Sequence, residues 1–169
     1  MDTKEIKLKF PIFKNKVNGK QLVYLDSANS SQKPKTVIDR ISKFYSKEFS
    51  NVGRSVHSLA VTATNRFEET RDLTQRYVNA KSREEIIFTK NATEAINLVA
   101  STYGEKFIES GDEILITELE HHANYVPWHF IREKKGAIIK FAKCNERGEV
   151  GIDEIKKLIT NKTKIIAVT

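Results

Sequence analysis

In the stretch Glu118 to Trp128, ELEHHANYVPW, two adjacent histidines stand between acidic residues and an aromatic run. Imidazole binds transition metals and moves protons near neutral pH, so the pair invites both readings. Spacing separates them. A zinc site of the H-E-x-x-H kind carries its imidazoles on one helix face, whereas adjacent residues point in different directions. Glu118, Glu120 and His129 are the nearby candidates for further ligands, and no pattern fixes them, so no metal site is expected. Two readings are left: a surface loop whose histidines cap neighbouring groups, or a flat imidazole that stacks on an aromatic ligand and exchanges protons.

A second candidate is FTKNATEAINLVA, where a short polar turn precedes an apolar helical run. The first turn of such a helix leaves backbone N–H groups without acceptors, at the positive end of the helix dipole, and a phosphate binds there. Thr93 adds a hydroxyl to that nest and Ala92 its N–H alone; equally, Asn91 or Thr93 is an N-cap with Glu94 as an early acidic residue. Arg54 and His57 in SNVGRSVHS are a possible anion contact or solvated loop charges. Cys144, the single cysteine, has no histidine in its segment and reads as an idle thiol.

The elements that must position these residues follow from periodicity. QLVYLDSA reads as a strand entering a turn at Asp26 and Ser27, and Pro34 opens a helix. Val37, Ile38, Ile41, Phe44 and Tyr45 line one face of that helix, from Lys35 to Glu48. A long helix runs from Leu59 to about Asn79. Then EEIIFT (Glu84 to Thr89) reads as a strand, KNAT as a turn and EAINLVASTYG as a helix. The pattern repeats as the strand DEILIT, the loop ELEHHAN, the helix YVPWHFIREKKG and the strand AIIKFAK, followed by a helix from Asp153 to Ile159 and the strand TKIIAVT. Alternation of this kind predicts an α/β fold, a mostly parallel sheet with helices on both faces, with ligands at the C-terminal strand ends where KNAT and ELEHHAN fall. The last residue, Thr169, lies inside an apolar β run, and an N-terminal fragment is expected.

With 169 residues, 39% hydrophobic and 30% charged, the composition is that of a globular domain. No apolar run is long enough for a membrane span, and MDTKEIKLKF lacks a signal-peptide core, so a cytoplasmic protein without membrane contact is expected. The net charge of +7 is spread over paired lysines among acidic residues, and reads as a solvated surface with no nucleic-acid partner.

Taken in order and spacing, YLDSANSSQKP, SNVGRSVHSLA, EEIIFTKNATEAINLVA, GDEILITELEHHANYVPW and NERGEVGIDEIKKLIT resemble the N-terminal part of the pyridoxal-phosphate-dependent cysteine desulfurases of the SUF type, within the class V aminotransferase group. The resemblance implies a PLP-dependent transferase fold-type I large domain, incomplete over 21–169 and preceded by an N-terminal segment, 1–20. It implies removal of sulfur from L-cysteine, leaving L-alanine and an enzyme persulfide that feeds iron–sulfur cluster assembly. It further implies a sulfur-acceptor protein of the SUF system and a homodimer when full length.

By position, the resemblance puts Ala92 and Thr93 at the cofactor phosphate, His121 on the pyridine ring as a proton-transfer residue, and Ala28 and Asn29 beside the substrate. His122 is a structural neighbour. The family usually has Ala-Ala at Ala28-Asn29, His at Gly53, Gly at Ser55 and Gly-Thr at Asn91-Ala92; the change at Ala92 removes a hydroxyl from the phosphate site. The lysine that bonds the cofactor, the aspartate at the pyridinium nitrogen, the substrate arginine and the sulfur-accepting cysteine match no residue here, so these residues alone are expected to be inactive. Two alternatives remain: another class V enzyme, an aminotransferase or lyase, or a non-catalytic partial gene product.

Overall fold

The computed structural model describes residues 2–169, which cluster into two compact units that meet in sequence between Ile86 and Ile87. The first is helical. Helix α1 (Thr3–Leu8) is capped by Asp2, whose carboxylate accepts from Lys4 N, and strands β1 (Lys16–Val17) and β2 (Lys20–Gln21) form a small antiparallel hairpin. Helix α2 (Lys35–Lys43) starts after Pro34, as its fixed φ predicts, and runs on as one π turn, Phe44–Glu48. Helix α3 (Ser58–Tyr77) buries Ala60 and Ala63, small residues that let neighbouring chain come close.

The second unit carries the sheet. Helix α4 (Ala92–Val99) continues through a π turn, Ala100–Gly104, into α5 (Glu105–Phe107). Strand β3 (Glu113–Thr117), helix α6 (Val126–Lys135), strand β4 (Ile138–Ala142), helix α7 (Ile152–Leu158) and strand β5 (Thr163–Ala167) follow. The sheet is wholly parallel in the order β4-β3-β5, with Leu115 opposite Lys140 and Ile166. Because β3 is central, the step from β3 to β4 and the step from β4 to β5 run in opposite directions. Right-handed crossovers therefore put α6 and α7 on opposite faces. Packing agrees: Trp128 and Ile131 of α6 join Ile114 and Ile116 in the core, whereas Lys140, of the other parity, reaches the Leu158 carbonyl of α7 at 3.1 Å. All five residues of β3 are buried, as expected for a central strand covered on both faces.

Two glycines matter here. A side chain at Gly104 would meet Ile131 Cδ1 at 3.1 Å, so the bare backbone lets the π turn lie against α6. Gly136 ends α6 in the left-handed region at φ 74°, where a Cβ would lie 2.8 Å from Ser110 Oγ.

Two expected strands do not form. Of QLVYLDSA only Gln21 pairs, next to Lys20 before it; beyond it Leu22 and Tyr24 are half-buried while Val23 and Leu25 are exposed, so the alternation is present without a ladder. EEIIFT opens with a 3-10 turn, Arg83–Glu85, and residues 86–89 belong to no sheet of the described residues. β-branched residues suit a pleated surface, and a strand forms only where a neighbour supplies the other half of the hydrogen bonds.

Candidate functional site at the strand ends

At the C-terminal edge of β3 the chain leaves the sheet at Thr117 and re-enters helix at Val126. The intervening loop carries the histidine pair and is held by one carboxylate. Glu120 Oε1 accepts from Thr117 Oγ1 at 2.7 Å and from Thr169 N at 3.1 Å. Its Oε2 accepts from Asn124 Nδ2 and from Thr169 Oγ1, both at 2.7 Å. Asn124 Oδ1 in turn accepts from the indole N–H of Trp128 at 3.1 Å, inside the core. Partial burial alone would raise the Glu120 pKa, but the hydrogen bonds from Thr117, Thr169 and Asn124 outweigh it and hold the carboxyl below its ordinary range.

His121 follows directly, with extended backbone (φ −64°, ψ 149°) and an exposed side chain. It caps a single 3-10 turn, His122–Asn124: His121 Nδ1 accepts from Ala123 N at 3.1 Å, and the His121 carbonyl accepts from Asn124 N at 2.8 Å. With Nδ1 accepting, the neutral ring carries its proton on Nε2. The His122 ring stands at 87° to that of His121, with centroids 6.1 Å apart. The expected surface loop with a capping histidine is therefore present, with His121 as the cap.

Helix α4 packs against this 3-10 turn, and its Ile96 lies against the Trp128 cluster. Asn91 is the N-cap: Asn91 Oδ1 accepts from Glu94 N at 2.9 Å, and Glu94 Oε2 accepts from Lys90 N at 2.6 Å. This reciprocal pair is a variant of the capping box. Ala92 and Thr93 open the helix, are exposed, and have N–H groups with no acceptor in the helix ladder. A phosphate group fits two backbone donors and the exposed Thr93 hydroxyl, while the third donor, Glu94 N, is already held by Asn91.

The other singled-out residues belong to other elements. Ala28 and Asn29 are in the first unit, on an exposed turn closed by Asn29 N and Ser30 N donating to the Asp26 carbonyl, and by Tyr24 Oη donating to the Ser30 carbonyl. His57 caps α3 through Nδ1, which accepts from Ala60 N, and Gly53 N donates to Thr64 Oγ1. The Cys144 N–H and thiol both face Glu118 Oε2, at 3.2 and 3.8 Å. Thr117, Glu118, Glu120, Tyr125 and Phe141 line a cleft of about 430 Å³ at the strand ends, and His121 is not among them.

Sequence reasoning passed over Glu120, Asn124 and Trp128 as a group. They lie four apart, with each hydrogen-bonded to the next, a spacing that puts side chains on one side of a helical turn.

Known proteins give these features a setting. A chain named as a probable cysteine desulfurase from Staphylococcus aureus is 47% identical over 167 residues, and a probable cysteine desulfurase 1 from Mycobacterium leprae is 45% identical over 168. Each match spans 99% of this chain, against 40% of the first relative and 28% of the second. Among solved structures, the apo cysteine desulfurase of Thermococcus onnurineus superposes with a TM-score of 0.86 at 31% identity, over 99% of this chain and 40% of that one. The Escherichia coli cysteine desulfurase CsdA superposes at 0.75 with 32% identity, over 98% and 40%. The α/β arrangement is thus that of the N-terminal part of a fold-type I domain. The profile of the aminotransferase class-V family matches residues 23–169, and the chain belongs to that family.

Proposed function

We propose that the chain supplies the cofactor-cradling part of a SUF-type cysteine desulfurase that takes sulfur from L-cysteine, leaves L-alanine and passes a persulfide towards iron–sulfur cluster assembly. Pyridoxal 5'-phosphate supplies the electron sink for such chemistry at an amino-acid α-carbon. The observation that supports the reading is the packing of α4, a helix that opens at Ala92 and Thr93, against the His122–Asn124 turn that His121 caps with an exposed imidazole.

In this reading the Ala92 and Thr93 N–H groups and the Thr93 hydroxyl hold the phosphate. His121 would lie beside the cofactor ring and would give or take a proton at Nε2, since Nδ1 is engaged by Ala123 N. Ala28 and Asn29 border the amino-acid substrate. Residues 1–169 alone are proposed not to turn over, and the working protein is proposed to be a cytoplasmic homodimer that hands sulfur to an acceptor protein. No helix among the described residues is long and apolar enough to cross a membrane, which is compatible with that location.

A chimera tests the reading. With residues 1–169 replacing the matching part of the Staphylococcus aureus relative, the protein is expected to release alanine from L-cysteine, and the His121→Ala chimera to lose most of that activity. Asn29, where the family usually has alanine, favours a second reading as another class V enzyme. A folded chimera that consumes other amino acids and yields no alanine would establish that second reading.

A further inference from the structure

The Glu120 carboxylate gathers four donors from three places in the second unit: the end of β3, the turn that leads into α6, and the residue two beyond β5. That is more than a surface glutamate needs, and each contact fixes one side of the loop bearing the next residue, His121. We propose that Glu120 is a positioning residue for His121. It ties the loop to the sheet so that Ala123 N–H stays on His121 Nδ1 and the ring keeps its proton on Nε2.

The demand on Glu120 is for a group that only accepts. Its Oε1 faces the backbone N–H of Thr169, and its Oε2 faces the Asn124 amide nitrogen. The threonine hydroxyls can rotate to accept, but the Thr169 N–H cannot. Asn124 cannot turn over without withdrawing its oxygen from the Trp128 indole N–H. Either orientation of a glutamine at this position sets an NH2 group against another N–H donor, so Glu120→Gln is not conservative here despite its equal size. The complementary change is Asn124→Asp, whose carboxylate accepts from both the new glutamine and Trp128.

The inference rests on the reading of His121 as the cofactor-facing residue for its purpose, though not for its geometry. The test is the tautomer of each histidine in the 169-residue chain, read from long-range proton to nitrogen-15 couplings with the rings neutral. In the parent chain His121 should show the Nε2–H form. In Glu120→Gln the ratio of Nε2–H to Nδ1–H should fall by roughly fivefold, the factor equivalent to one ordinary hydrogen bond. The paired variant E120Q/N124D should restore it. His57, whose Nδ1 also accepts from a backbone N–H, should be unmoved throughout.

Thr169→Val removes one donor at an exposed residue and leaves the core untouched, so it gives a folded variant with a smaller shift in the same direction. An unchanged His121 ratio in folded Glu120→Gln overturns the proposal; should that variant fail to fold, an unchanged ratio in Thr169→Val overturns it. Pyridoxine phosphate separates the two levels: if it leaves the parent His121 ring unshifted, the cofactor reading fails while the hold of Glu120 on the loop stands.

Discussion

Replacing Asn124 with alanine severs the network at the point where it enters the core. The Trp128 indole is 2% exposed, so without Asn124 its N–H is buried with no acceptor. An orphaned buried donor costs about 1–3 kcal/mol. The bond from Asn124 Nδ2 to the Glu120 carboxylate is lost as well, but that carboxylate is partly exposed and keeps three donors, so its share is at the low end. The sum is a destabilisation of about 2–4 kcal/mol, the range expected when a buried hydrogen-bond network is broken. Because Trp128 is the single tryptophan, its fluorescence during urea unfolding reports the second unit directly. A double-mutant cycle isolates the cause. In a Trp128→Phe background there is no indole N–H to strand, and Asn124→Ala should cost about 1–2 kcal/mol less. Native-state exchange of the Leu115 and Ile116 amides, in the central strand, reads all four proteins on one scale. Costs that add to within about 0.5 kcal/mol would refute the claim that Asn124 matters through Trp128.

Glu113 is held below its ordinary pKa first by its hydrogen bond with Lys140 and then by that from Thr160, and Glu120 is held low against partial burial. Both folded values are depressed, so their contribution is complete above the ordinary glutamate value of 4.5 and is lost as pH falls through the folded values. Urea midpoints of the second unit should therefore be flat from neutrality to about pH 5 and drop below it, less steeply in Glu113→Gln. Ile131→Ala removes a side chain that is 3% exposed in the centre of the core and should cost about 2–5 kcal/mol in the same assay. Asn91→Ala deletes the α4 cap and should cost about 1 kcal/mol, with faster exchange at the Glu94 amide. Ala92→Thr in the chimera restores a hydroxyl beside the phosphate donors and should tighten pyridoxal phosphate binding by about tenfold, read by equilibrium dialysis, if the new bond is worth the usual 1.5 kcal/mol of a charged pair.

Which parts of this molecule can be read from residues alone follows from how local their causes are. Helices α2, α3, α6 and α7 are set by apolar spacing, by Pro34 and Gly136 at their ends and by neighbours in sequence, and they lie where the periodicity puts them. The three sheet strands are dense β-branched runs that find one another in parallel. EEIIFT is equally rich in β-branched residues and QLVYLDSA alternates in the same way, yet both fail as strands because pairing depends on a partner far away in sequence, which local pattern does not encode. At the site, the α4 donors and the histidine loop were each legible as a motif. The packing of α4 on the loop is a property of the fold, through Ile96 and the Trp128 cluster. In sequence Glu120 stands out only as a candidate further ligand beside the histidines, because its donors include Thr169, forty-nine residues away, although Asn124 and Trp128 lie within reach of a search at helical spacing.

The central claim, that α4 and the histidine loop form one cradle, is tested most directly by titrating the isotope-labelled chain with pyridoxine phosphate. That molecule has the ring and phosphate of the cofactor and lacks the aldehyde that would react with surface lysines. The account predicts saturable shifts of the Ala92 and Thr93 amides together with the His121 ring, and with inorganic phosphate shifts of the two amides alone. Shifts scattered over lysine-rich surfaces, with the Ala92 and Thr93 amides and the His121 ring unmoved, would contradict it.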